Sequence, residues 1–301
     1  MDLDQLATFI EVAELGNFSR AAEKVLRSQS AVSAQIRQLE DEYGEKLFDR
    51  TKKSVTLTPA GELLLDYARR IMSLRQESLR AVADSGADTR GVLSIGANET
   101  TFLYVLPEVL ACYHRKYPNV RISVYRNFSH KVLQKVEDDV MELGVLTTPV
   151  RSSSMTVIPI FRDPLVWIVA ADSPLAQRGT ASLAELAQHE VILHKMGSLR
   201  RLMEKQLHPF KPRLRVTMEL ASAEMVKKFV AAGLGVSMIS ERFVQEELRE
   251  GKVKILQTDG ETTYRELAIV YHEGRSLSRA AKEFVTIAVD YSKRDARAAA
   301  K

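Results

Sequence analysis

Residues 28–37 contain side chains whose types and spacing suit the reading of a nucleic acid: Ser28, Gln29, Ser30, Ser33 and Arg37. At about 100° per helical residue, Ser30, Ala34 and Arg37 share one face, and Val32, Ile36 and Leu39 share the opposite one. Ser33 falls on the flank of the polar face and Gln29 in the exposed first turn. Short hydrogen-bonding side chains at a helix start can reach base edges in a major groove. The helix dipole and free amides there favour phosphate. Downstream, Arg50-Thr51-Lys52-Lys53 followed by Val55-Thr56-Leu57 reads as a small basic hairpin, a wing able to grip the backbone. Taken alone, an ordinary helical hairpin explains two short helices with a polar face equally well.

A second chemistry lies further along. The run Val92–Ala97 leads into Asn98-Glu99-Thr100-Thr101, and Glu190–His194 leads into Gly197-Ser198 ahead of Arg200–Leu207. Each strand-to-helix junction offers amides and hydroxyls at a helix start, a site for a carboxylate or another anion. The plainer alternative makes Thr100 and Ser198 simple N-caps, worth about 1 kcal/mol each. Arg200 and Arg201 can pair an acidic ligand, although exposed helix charges are usually solvated. Other patterns fail on context. Gly233-Leu234-Gly235 has Met238 where a dinucleotide fingerprint needs its third glycine, and it precedes a strand. His189-Glu190 and His194 miss zinc-protease spacing by one residue. Cys112 has no partner cysteine and reads as packing in an amphipathic helix. No Gly-x-Ser-x-Gly or phosphate-binding loop occurs.

Elements that position these groups can be read from periodicity. Leu6, Phe9, Ile10 and Ala13 recur at helical spacing, Ser19 can cap a helix over Arg20–Val25, and Ser28 can cap a second one running to about Asp41. Thr58 can cap a helix opening at Pro59, where the missing amide hydrogen costs nothing. Along it Leu64, Tyr67 or Ala68, Ile71, Leu74, Ser78 and Val82 repeat every three or four residues. Such a stripe packs either on its own domain or, because a polar linker Asp84–Gly91 follows, as a self-pairing seam. From Val92 the texture changes to short apolar runs: Val92–Ala97, Arg121–Tyr125, Gly144–Leu146, Leu165–Ala171, Glu190–His194, Leu214–Met218, Gly235–Ile239 and Leu267–Tyr271. Helical stretches Leu103–Lys116, Lys131–Glu142, Arg200–Leu207 and Glu224–Ala232 lie between several of them. The alternation predicts α/β units with mainly parallel sheets.

Length and charge set outer bounds. At 301 residues the chain suits two or three domains. Its longest apolar run, Leu165–Ala171, is far short of the roughly 20 residues of a membrane span. Asp2 and Asp4 stand where a secretory signal would carry positive charge. A membrane or secreted protein is not expected; one cysteine suits a reducing cytoplasm. The net charge of +4 decides nothing, because residues 1–90 hold 13 Lys and Arg against 15 Asp and Glu.

Residues 1–61 also carry a family signature. Leu6, Phe9, Phe18, Ala21-Ala22, Ser28-Gln29-Ser30, Val32-Ser33, Ile36, Leu39-Glu40, Gly44, Leu47-Phe48, Arg50 and Leu57-Thr58-Pro59-Ala60-Gly61 resemble the N-terminal region of LysR-type transcriptional regulators. Looser likenesses follow at Leu106-Pro107, Tyr117-Pro118 and Val230–Val236. Two departures stand out: Glu142-Leu143-Gly144 replaces the family's usual Asp-Leu-Gly, and Asn127 stands where glycine is frequent. The resemblance implies a winged helix-turn-helix over 1–61, a linker and dimerisation helix with hinge over 62–90, and an effector-binding domain over 91–301. That last domain is of the periplasmic-binding-protein type (type 2), with one α/β subdomain of about 91–162 and 266–301 and another of about 163–265.

What the resemblance implies for function is specific. Ser28, Gln29, Ser30, Ser33, Arg37, Arg50, Lys52 and Lys53 are expected to contact double-stranded operator DNA. A small effector, anionic or polar, is expected between the subdomains against Asn98, Thr100, Thr101, Phe128, Ser129, Thr147, Ser198, Leu199 and Ser222. Leu64, Ile71 and Leu74 are expected to pair linker helices into a homodimer, with a homotetramer beyond it. RNA polymerase is a further expected partner; no catalytic residue, metal or cofactor is expected. A solute-binding transport component is the competing reading, since it would share the C-terminal fold.

Overall fold

The computed structural model of the chain describes residues 1–49, 55–83 and 89–299. Its contacts divide it into two units, one closing with the helix that ends at Ala83 and one opening at Thr89.

The first unit runs α1 (Leu3–Leu15), α2 (Phe18–Lys24), α3 (Gln29–Tyr43), β1 (Phe48–Asp49), β2 (Thr56–Leu57) and α4 (Pro59–Ala83). Asp2 and Gln5 form a reciprocal capping box at the start of α1, and Gly16, with φ 57°, ends it. The cap of α2 is Asn17 rather than the expected Ser19: its side chain accepts from the Arg20 amide at 3.0 Å, so the helix begins at Phe18. Leu6, Phe9, Val12, Ala21, Val32, Ile36, Leu39, Leu47 and Phe48 form one buried core. Phe48 sits against Phe9 and Phe18 at 5.3 and 5.6 Å between ring centres. Buried Glu40 accepts the Leu47 amide at 3.0 Å, tying α3 to the chain that enters the β1–β2 hairpin. Thr58 caps α4 as expected, its hydroxyl accepting from the Gly61 amide at 3.0 Å. A Cβ on Gly61 would lie 2.1 Å from the Leu47 carbonyl oxygen, so this close approach requires glycine.

The second unit continues with β3 (Gly91–Ala97), α5 (Glu99–Tyr104), α6 (Leu106–Lys116), β4 (Val120–Arg126), α7 (Ser129–Glu137), β5 (Leu143–Thr147) and β6 (Met155–Ala170). Then come α8 (Pro174–Arg178), β7 (Thr180–Ala181), α9 (Leu183–Leu186), β8 (Glu190–His194), α10 (Gly197–Leu207), β9 (Arg215–Leu220) and α11 (Ala223–Ala231). The chain ends with β10 (Ser237–Ser240), α12 (Gln245–Arg249), β11 (Val253–Thr258), β12 (Tyr264–His272) and α13 (Arg279–Ala299). One core gathers β3, β5, α6 and α13; a separate one gathers the second half of β6 with β8, α10, α11 and β10. Two subdomains therefore share long strands. β6 pairs with β12 over Met155–Pro164 and with β10 and β11 beyond it.

Three expectations need correction. The sheets are mixed: β3 runs parallel to β4 and β5, but β12 pairs antiparallel with β5 and β6, and β10 and β11 pair antiparallel with β6. β6 starts ten residues before the expected Leu165, a stretch hidden in the sequence by Pro159, Arg162, Asp163 and Pro164. The expected helix Leu103–Lys116 is two helices broken at Val105: Pro107 has no amide hydrogen for the Leu103 carbonyl and stands instead in the first turn of α6.

Candidate nucleic-acid interface and ligand cleft

On α3 the expected reading face is present and exposed at Ser28, Gln29, Ser30 and Arg37. Ser28 is the cap: its hydroxyl accepts from the Ala31 amide at 3.2 Å and lies 2.9 Å from the Ser30 hydroxyl. Ser33 departs from the expectation. It is buried, and its hydroxyl accepts a 3.0 Å hydrogen bond from the Gln29 side-chain amide. The physical reason is its position on the flank of α3 that also carries the buried Ile36 and Glu40. Ser33 therefore orients Gln29 rather than facing outward. The β1–β2 hairpin forms with Phe48 opposite Leu57 and Asp49 opposite Thr56. Arg50, Lys52 and Lys53 lie outside the described residues.

The seam stripe on α4 also shifts. Leu64, 6% exposed, belongs to the core of its own unit, and Ile71 packs on that core. Leu74 is 66% exposed, and the side chains sharing its face are Leu63 and Tyr67, also exposed. The apolar surface left open thus keeps Tyr67 and Leu74 of the expected stripe and adds Leu63, while Leu64 and Ile71 turn inward.

In the second unit, topology collects the expected ligand residues at strand ends. β3, β4 and β5 run parallel, with Ala97 level with Arg126 and Val145. Asn98, Thr101, Phe128, Ser129 and Thr147 therefore share one sheet edge. β8 and β9 are parallel as well, with His194 level with Leu220, which brings Ser198 and Ser222 to a second edge. Ligands of open α/β sheets bind outside such carboxyl ends. Local chemistry differs between the edges. Asn98, not Thr100, caps α5: its side-chain oxygen accepts from the Thr101 amide and from the Thr100 hydroxyl, both at 2.9 Å. The hydroxyls of Thr101 and Thr147 are buried and have no hydrogen-bond partner. On the other edge α10 begins at Gly197, so Ser198 lies inside its first turn, and no side chain caps its amides. Leu199 departs from the expectation: its side chain packs in the second subdomain's core, which the inward rotation of that turn dictates. Phe128 is exposed, with its ring stacked on His130 at 6.1 Å.

Arg200 and His194 at the second edge are already engaged. Arg200 pairs with Glu219 at 2.6 Å and Glu204 at 2.7 Å and donates to the His194 carbonyl at 3.1 Å, so it braces the β8–α10 turn rather than waiting for an acid. His194 is buried and its Nε2 donates to the Met238 carbonyl at 3.1 Å; desolvation lowers its pKa and keeps the ring neutral. Glu142, the family departure, accepts from the Ser278 amide and hydroxyl at 2.8 and 3.0 Å, holding the entry to α13. Among the described residues no cluster of three or more His, Cys, Asp and Glu could hold a metal, and no helix is long and apolar enough to cross a membrane. Sequence reasoning missed Tyr104, Asp163, Lys227, Arg242 and Arg265, whose partners are far away in the chain.

A helix-turn-helix head with a hairpin wing, followed by two α/β subdomains sharing crossover strands, is the architecture of a ligand-responsive regulator. Residues 3–62 match the bacterial regulatory helix-turn-helix proteins of the LysR family, and residues 86–293 match the LysR substrate binding domain. The chain belongs to the LysR family: it is a DNA-binding transcriptional regulator with that family's substrate-binding domain, and the transport reading is set aside. A RuBisCO operon transcriptional regulator from Allochromatium vinosum is 33% identical over 291 residues, covering 94% of each chain. CbnR, solved with its target DNA, superimposes with a TM-score of 0.65 at 22% identity, over 97% of this chain and 100% of its own. The regulatory domain of CcmR from Synechocystis PCC6803, solved with 2-PG, gives 0.62 at 24% identity, over 68% of this chain and 98% of its own. These two likenesses are of fold.

Proposed function

We propose that this regulator reads duplex DNA with Gln29, Ser30 and Arg37, with Ser28 and Ser33 as supports, and grips phosphates through the wing cations Arg50, Lys52 and Lys53. A small anionic or polar metabolite binds at the strand ends of the second unit and modulates that activity, with no cofactor and no catalytic step. The observation that carries the ligand assignment is the pair of buried, partnerless hydroxyls, Thr101 and Thr147, on adjoining strand ends. An unsatisfied buried hydroxyl costs about 1–3 kcal/mol, and a ligand acceptor relieves it. Uncapped α10 amides supply further neutral donors for an anion. Two copies pair through Leu63, Tyr67 and Leu74 of α4, dimers pair into tetramers, and the protein works in the cytoplasm with RNA polymerase.

Thr101→Val and Thr147→Val separate this reading from a packing role. Each is expected to raise the ligand-free melting temperature, because an orphan donor is removed, and to weaken ligand by roughly 0.5–1.5 kcal/mol. Calorimetry with 2-PG and a panel of small carboxylates measures the second effect. A ligand bound equally well by both variants removes these hydroxyls from the site.

A further inference from the structure

Between the two ligand-facing edges lies a buried ammonium that neither DNA nor ligand chemistry uses. Lys227, on α11 of the second subdomain, is 2% exposed. Its Nζ lies 2.7 Å from the Tyr104 phenol oxygen, 2.9 Å from Glu247 and 3.1 Å from Glu224. The two carboxylates are ion-pair partners, and the hydrogen bond itself is donated to the Tyr104 oxygen. Both carboxylates belong to Lys227's own subdomain, on α11 and α12. Tyr104 does not: it ends α5, the helix that carries Thr100 and Thr101, and the next residues, Val105 and Leu106, are buried in the first subdomain's core. Its ring instead reaches across, packs on the second subdomain's core and stacks on Phe243 at 4.7 Å between centres. The ammonium also lies over that ring, 4.9 Å from its centre.

We infer that Lys227 and Tyr104 are positioning residues that fix the angle between the two walls of the ligand cleft. This rests on the cleft reading above and assigns it a mechanical part. α5 begins at Asn98-Thr101 and α11 begins just after Ser222, so one charge-assisted bond ties the helices that carry the two sets of ligand-facing groups. A lysine buried for packing alone would be costly. Here its charge is neutralised by carboxylates from its own side, which leaves the remaining donor for the opposite wall. The bond joins two protein side chains directly, so it sets the angle between the walls and lowers the cost of ordering them when a ligand binds.

Tyr104→Phe keeps the stack on Phe243 and the ring beside the ammonium and removes only the crossing oxygen. A spin-label pair at Cys112 on α6 and at an introduced Lys211→Cys reports the inter-subdomain distance, with labelled chain diluted into unlabelled full-length protein. The expected result is a narrow distance distribution in the parent and a broadened or shifted one in Tyr104→Phe, with little change in melting temperature or in ligand-free operator affinity. Lys227→Met broadens it at least as much, whereas Lys227→Arg, which keeps charge and donors, stays near the parent. In 2-PG calorimetry Tyr104→Phe is expected to lose roughly tenfold in affinity, the scale of a hydrogen bond to a charged group. Failure of the parent to bind 2-PG would count against that ligand, while the distance measurement would still decide the latch. A Tyr104→Phe distribution superimposable on the parent's overturns the inference, as does broadening by Lys227→Arg equal to that of Lys227→Met.

Discussion

The head and the ligand domain solve opposite problems with similar side chains. On α3 the polar groups lie on the surface and are held by neighbours two to four positions away: Ser28 by Ala31 and Ser30, Gln29 by Ser33. In the ligand domain the decisive polar groups are buried and held by residues far off in sequence. Tyr104 meets Lys227, Glu142 meets Ser278, and Asp163 meets both Arg242 and Arg265. A surface that binds DNA can rely on a rigid helix and leave its donors hydrated until contact. A cleft whose walls must keep a set angle needs buried charges, whose desolvation is repaid only when every partner is in place.

The strongest way to break this contrast is to remove Asp163. It is buried at the crossing of β6 and β12, with Arg265 opposite in register and Arg242 at 3.2 Å, and Arg265 lies over the Phe243 ring at 4.5 Å. Asp163→Ala leaves the buried Arg265 guanidinium without its carboxylate, while Arg242 keeps Asp295, and should cost the ligand domain about 3–5 kcal/mol. The chain's single tryptophan, Trp167, is buried in this domain, so urea unfolding followed by its fluorescence reads the loss directly. Operator binding by surviving folded protein should change little. A matching loss of operator affinity would show that the two regions are not separable.

At the head, Gln29→Ala should cost roughly 1–3 kcal/mol on a specific operator and little on random DNA, measured by fluorescence anisotropy at two salt concentrations. Ser33→Ala sharpens the point. If Ser33 acts by holding Gln29, its effect vanishes in the Gln29→Ala background; additive losses would restore Ser33 to direct contact.

His194 gives a pH signature confined to the ligand domain. Burial lowers its folded pKa below the ordinary value of about 6.5. The neutral ring's stability contribution is thus complete above about pH 6.5 and is lost as pH falls towards the folded value, at up to about 1.4 kcal/mol per pH unit. Urea midpoints of His194→Gln against the parent between pH 7.5 and 5 should converge as pH falls. A constant difference across that range would refute the assignment. The smallest effect is the cap of α2: Asn17→Ala should cost about 1 kcal/mol of head stability.

The chain itself determined the helix starts at Ser28 and Thr58, the polar face of α3, the strand Glu190–His194 and the change of texture at residue 92. Caps and periodicity are settled between residues a turn or two apart, and no remote partner is needed to express them. Tertiary structure decided what depends on such partners. β6 runs on through Pro159, Arg162, Asp163 and Pro164 because Arg265 opposite neutralises Asp163 and β12 supplies the hydrogen bonds. Leu64 and Leu74 look alike in sequence, yet the rotation at which α4 docks buries one and exposes the other. Lys227 reads in isolation as one more helix charge bound for solvent. Only the fold brings it Glu247 and the Tyr104 hydroxyl, and a buried ammonium is stable solely where such acceptors converge.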